Sequence, residues 1–84
     1  MTIVFKVSEK LKEKMIEYYT PLRREKTPPY AVFQAMDADT IVTLYESGKV
    51  MFQGISADID AKMWSEMEQK LTGKKINIYE NEKK

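Results

Sequence analysis

The 84-residue chain contains neither cysteine nor histidine. The first absence excludes a disulfide framework and a thiolate metal centre, and fits a reducing compartment. The second removes the commonest general base and the commonest imidazole metal ligand. Glycine and proline number only three each, and no glycine-rich phosphate loop or nucleophile–base pair is present. No run approaches the ~20 apolar residues of a membrane span. The apolar start Met1–Val7 is too short for a signal peptide and lacks a basic leader. A soluble, cytoplasmic protein is therefore expected, with no membrane partner. Charge of one sign is also missing: the net charge is +1, which argues against binding driven by bulk charge.

What is present suffices for one domain with one modest core, given 43% hydrophobic residues in a chain of this length. Thr2 to Val7 alternates around Ile3, Phe5 and Val7 and reads as a strand. Ser8 is a candidate N-cap, and Leu11, Met15, Ile16, Tyr18 and Tyr19 recur at helical spacing until Pro21. Residues 20–29 hold three prolines and the basic cluster Arg23, Arg24 and Lys26, and read as an irregular connection whose long cations can reach an anionic backbone. Tyr30–Met36, Thr40–Tyr45 and Lys49–Gln53 have strand character, with Asp37-Ala38-Asp39 as a turn. Ser56 is a second candidate cap for a helix with the stripe Ala57, Ala61, Trp64, Met67 and Leu71, flanked by Ile59 and Met63 and closed at Gly73. Asp58 and Asp60 suit the positive end of that helix. They and Asp37/Asp39 read as helix-terminal and turn residues, not as metal ligands. Ile76–Tyr79 is a possible short strand. The expected domain is residues 2–73, with 74–84 a short strand or tail.

The expected fold is α+β: a curved antiparallel sheet with two helices on one face, in the order β-α-β-β-β-α. The hairpin at Ser47-Gly48 decides which side chains stay uncovered. A three-residue loop, Glu46-Ser47-Gly48, with Gly48 left-handed, pairs Leu44 with Val50, Thr43 with Met51 and Val42 with Phe52. This register collects Val42, Leu44, Val50 and Phe52 on one face. A slip of one residue would invert the sorting. Phe33, Ala31 and Ala35 join the inner set, as do Ile3, Phe5 and Val7. The outer face then holds Lys6, Tyr30, Gln34, Thr43, Tyr45, Lys49, Met51 and Gln53, with Val4, Val32 and Ile41 between them. Such a mixed surface is too apolar for a plain solvated face and marks an interaction site. The alternative to a ligand is a protein-interaction or homodimerisation face.

The stretch Tyr45-Glu46-Ser47-Gly48-Lys49-Val50-Met51-Phe52-Gln53-Gly54 resembles the signature hairpin of the N-terminal domain of bacterial ribonuclease HIII. Tyr30–Ala35 before it and Ala57–Trp64 after it also resemble that domain, so the likeness spans about residues 2–72. The hairpin is similar, too, to the aromatic-x-Ser-Gly-Lys stretch of the TATA-box-binding protein. The resemblance implies a TATA-box-binding-protein-like fold and a non-catalytic module. Such a module holds an RNA/DNA hybrid for a separate C-terminal ribonuclease H domain. The family's motif positions carry over as Tyr45, Ser47, Gly48, Lys49, Phe52, Gln53 and Gly54; by face, Phe52 is expected to be structural, Gly48 conformational, and Tyr45, Lys49 and Gln53 the contact residues. No cofactor is expected in this chain: the carboxylates and divalent metal ions of ribonuclease H chemistry belong to the separate catalytic domain, so no catalytic residue is assigned here.

Overall fold

Alternation of apolar and polar residues in four segments, and helical spacing in two, resolve into β1 (Thr2–Lys6), α1 (Glu9–Tyr19), a 3-10 turn (Thr20–Leu22), β2 (Ala31–Asp37), β3 (Thr40–Tyr45), β4 (Lys49–Gly54) and α2 (Ala57–Thr72). This is a computed structural model describing residues 1–76. The four strands form one antiparallel sheet in the order β1-β4-β3-β2. Both helices lie on one face, as expected. The core gathers Ile3 and Phe5 of β1, Phe33 and Ala35 of β2, Val42 and Leu44 of β3, and Val50 and Phe52 of β4. Leu11, Met15 and Tyr19 of α1 and Ala57, Ala61 and Trp64 of α2 cover them.

The hairpin adopts the three-residue register: Leu44 pairs with Val50, Thr43 with Met51, Val42 with Phe52 and Ile41 with Gln53. The Gly48 N–H donates to the Tyr45 carbonyl at 2.9 Å, and Gly48 takes φ +96°, the left-handed conformation that this loop demands. A Cβ there would sit 3.1 Å from the Val7 carbonyl oxygen, closer than an ordinary contact, so the backbone of the β1–α1 corner also favours a glycine at this position.

Ser8 caps α1, its Oγ accepting the Leu11 N–H at 3.3 Å. The same residue is held from the far helix: Glu68 Oε1 accepts from the Ser8 N–H at 3.2 Å and from its Oγ at 3.0 Å. Helix α1 ends at Tyr19, two residues before Pro21; Thr20 keeps helical angles and passes into the 3-10 turn, while Pro21 has no N–H to continue the α-helical ladder. Gly73 closes α2 at φ +80°, donating its N–H to the Gln69 carbonyl at 2.7 Å.

Several expectations are corrected. Val7 lies just past β1, although it is buried as anticipated. Tyr30 precedes β2, with φ +67°. The register shifts between Ala31 and Phe33, so Ala31 is partnered with the outward Tyr45 while Phe33 is partnered with Leu44. Val32 is the extra residue of this bulge and packs against the core instead of facing out. A bulge puts two residues opposite one and breaks the period of two on which face assignment rests. The Ser56 side chain makes no capping bond; its carbonyl accepts the Ile59 and Asp60 N–H groups instead. Ile59 is 65% exposed and Met63 40% exposed. They lie outside the buried stripe, which runs through Ala57, Ala61, Trp64, Ser65 and Glu68. Of the short strand expected at Ile76–Tyr79, Ile76 is irregular and partly buried against the core. Its other residues lie outside the described ones.

Candidate functional site

The helices leave the second face of the sheet open, and the register assembles its side chains into three transverse rows. The first runs Thr2, Gln53, Ile41 and Met36; the second runs Val4, Met51, Thr43 and Gln34. The third begins with Lys6 directly opposite Lys49 and continues through Tyr45, which is partnered with Ala31. Both lysines are exposed. Like charges opposite each other on adjacent strands repel, and among the described residues neither lysine has an ion-pair partner.

Beside this pair, Tyr30, Tyr45, Glu46, Ser47 and Lys49 line a shallow depression at the hairpin end of the face. Tyr30 is brought there by its backbone. Its carbonyl accepts the Glu46 N–H at 2.9 Å, and the Ala31 N–H donates to Pro28 at 3.1 Å. The left-handed φ of a bulky residue costs of the order of 1–3 kcal/mol, which the surroundings must impose. The outcome is an aromatic ring 81% exposed beside Tyr45. The hairpin is held from the other layer by Lys12, whose Nζ donates to the Glu46 carbonyl at 3.0 Å.

Most of the expected site residues share this face, although their roles divide. Lys6, Lys49 and Gln53 are exposed; Gln34, Tyr45 and Met51 are half-buried. Thr43 lies at the centre and has no exposed surface, so it cannot touch a partner directly. Its hydroxyl instead accepts from Gln34 Nε2 at 3.0 Å, which orients that amide. A short side chain amid longer neighbours is covered by them even on an uncovered sheet. Glu46 and Ser47 join the depression without having been expected there. Their place in the turn next to Tyr45 is the signal that points to them.

The segment after the 3-10 turn is the larger surprise. It reads as an irregular loop, yet Arg23 forms a bridge with Ala35 and the Arg24 N–H donates to the Gln34 carbonyl at 2.7 Å. A strand-like stub thus lies along the outer edge of β2. On the helix side, Asp60 of α2 has its carboxyl raised above the ordinary carboxylate range by partial burial, with Asp37 and Asp39 adding repulsion. Among the described residues, no group of three or more acidic side chains is arranged to hold a metal ion. No described helix is long and apolar enough to cross a membrane.

The family described as "Domain of unknown function (DUF3378)" matches residues 2–77. The chain belongs to this family. The DUF3378 domain here is 49% identical to a ribonuclease HIII of Enterococcus faecalis over 61 residues, covering 73% of this chain and 20% of that protein. A ribonuclease HIII of Listeria monocytogenes is 43% identical over the same shares. A crystal structure of Bst-RNase HIII in complex with Mn2+ superposes with a TM-score of 0.71 at 30% identity, over 76% of this chain and 21% of that one. Aquifex aeolicus RNase H3, at 22% identity and a TM-score of 0.67 over 80% of this chain and 27% of that one, shares the fold. The resemblance to ribonuclease HIII and the α+β fold expected from the residue pattern are both borne out. The DUF3378 domain spans about a fifth of the length of the curated relatives it matches.

Proposed function

We propose that this DUF3378 domain is a non-catalytic nucleic-acid-binding module that acts in the cytoplasm. On this reading it holds an RNA/DNA hybrid for the catalytic domain of a ribonuclease HIII. The observation that carries the proposal is the Lys6–Lys49 pair beside the exposed ring of Tyr30 and the half-buried ring of Tyr45. Two cations placed opposite each other destabilise an isolated sheet, and a phosphate backbone relieves that repulsion. Aromatic faces next to them suit sugars, while the amides of Gln34 and Gln53 suit groove edges. Recognition of this kind reads duplex shape more than base identity.

Fluorescence anisotropy with a labelled RNA/DNA hybrid tests the reading. Binding should be measurable at low salt, weaken steeply as salt rises, and drop when Lys49→Ala is combined with Tyr45→Ala. Affinity for that double variant equal to the parent's would overturn the assignment. The uncovered apolar residues Val4, Ile41 and Met51 support a second reading, a face that docks another protein domain or a second copy. That reading expects association that persists at high salt and no hybrid binding at any salt.

A further inference from the structure

We infer that Arg24 is a phosphate-contacting residue at the second edge of the open face, placed there by the strand-like stub along β2. The inference rests on the proposed hybrid-binding role of that face. Arg23 bridges to Ala35, and bridged residues point to the same side of a sheet. Ala35 is buried beneath the helices, so Arg23 takes the helix side of the edge. The next residue takes the opposite side, and the bond from the Arg24 N–H to the Gln34 carbonyl sets Arg24 alongside outward-facing Gln34. The second row of the face therefore runs Val4, Met51, Thr43, Gln34 and Arg24. Arg24 is exposed, and among the described residues it has no ion-pair partner.

This position completes a two-sided arrangement. Lys49 lies on β4 and the stub lies beyond β2, three strand spacings away, or roughly 14 Å at the usual ~4.8 Å per spacing. The minor groove of B-form duplex is about 6 Å wide, and that of an A-form helix is wide and shallow. Cations rooted so far apart reach the two backbones on either side of a groove, while Gln34 and Met51 face its floor. One strand of the hybrid meets Lys6 and Lys49, and the other meets Arg24, whose guanidinium can grip a phosphate with two parallel hydrogen bonds.

Arg23 supplies the control, because it carries the same charge in the same stub on the other side. Anisotropy titrations with a labelled RNA/DNA hybrid at several salt concentrations should be run on Arg24→Ala, Arg23→Ala and the Lys49→Ala/Tyr45→Ala variant, with circular dichroism confirming the fold. The bonds that anchor the stub are made by the backbone, so both arginine variants keep it. Arg24→Ala should weaken binding roughly fivefold to tenfold near 0.1 M salt and lower the salt slope by about 0.9, the share of one phosphate contact. Arg23→Ala should change neither quantity. Equal losses in both arginine variants, or no loss in Arg24→Ala while Lys49→Ala/Tyr45→Ala does weaken binding, would overturn the edge assignment alone. No hybrid binding by the parent chain, or undiminished binding by Lys49→Ala/Tyr45→Ala, would overturn the reading of the whole face.

Discussion

The indole Nε1 of Trp64 donates a 2.8 Å hydrogen bond to the phenolic oxygen of Tyr19, joining α2 to α1 inside the core. The two rings lie 5.8 Å apart; Phe33 approaches Tyr19 from the sheet at 5.5 Å, and Tyr18 meets Trp64 edge-on at 5.5 Å. Tyr19→Phe would keep the packing but strand a buried N–H. A loss of about 1–3 kcal/mol is expected in urea unfolding. Adding Trp64→Phe should cost less than the sum of the two single changes, because the stranded donor is then gone. Burial pushes the Tyr19 phenol up, outweighing the opposing Trp64 bond, with Asp60 and Asp37 adding to the rise. A folded-state value above the unfolded one means stability fully present below about pH 10 and lost as pH rises further. The parent should therefore lose more stability than Tyr19→Phe between pH 10 and 11.

Asp60 presents the acidic counterpart. Its carboxyl is raised by partial burial and by Asp37 and Asp39, so ionising it costs the folded state more than the unfolded one. The folded protein is favoured while this group stays protonated, and that advantage fades as pH rises through its folded value. Asp60→Asn should raise the unfolding midpoint at pH 7 and bring little gain at pH 3. A destabilised variant at pH 7 would show that the helix-dipole contribution of Asp60 outweighs its repulsion.

Gly54 ends β4 with φ +139°, and a Cβ added there would lie 2.2 Å from the Asp39 carbonyl oxygen. The obstacle is backbone in the β2–β3 turn, which has no flexible end to move aside. Gly54→Ala should cost about 3 kcal/mol or more, combining strain with displacement of that turn. Chemical denaturation measures it directly.

Tyr30 should separate stability from binding. Tyr30→Gly relieves the left-handed strain and removes a ring that is 81% exposed. The variant should unfold at a higher urea concentration, by the equivalent of about 1 kcal/mol. It should also bind the hybrid more weakly than the parent. Gain in both properties would remove Tyr30 from the proposed interface.

The parts of the fold legible in the sequence are those set by neighbours along the chain. The register at Gly48 follows from one sorting of Val42, Leu44, Val50 and Phe52, and the cap at Ser8 from its place before a periodic run. What escaped depends on distant backbone. The bulge at Val32 is a count of residues against a partner strand, invisible within β2 itself. The pairing of Arg23 and Arg24 with β2 arises only after the chain has folded back past Pro28 and Pro29. Thr43 has the alternation of an outward residue, and only its neighbours across the sheet remove it from contact.

The stub at Arg23–Arg24 also bears on self-association. An unpaired strand edge is a template for another chain, and a sheet with two free edges can add copies without limit. Here β2 already has a backbone partner from its own chain along part of its length. Among the described residues, the outer side of β1 has no such partner at any point. Pairing through the outer side of β1 closes after two molecules about a twofold axis, so an assembly built on that edge alone terminates at a dimer instead of growing into a ribbon.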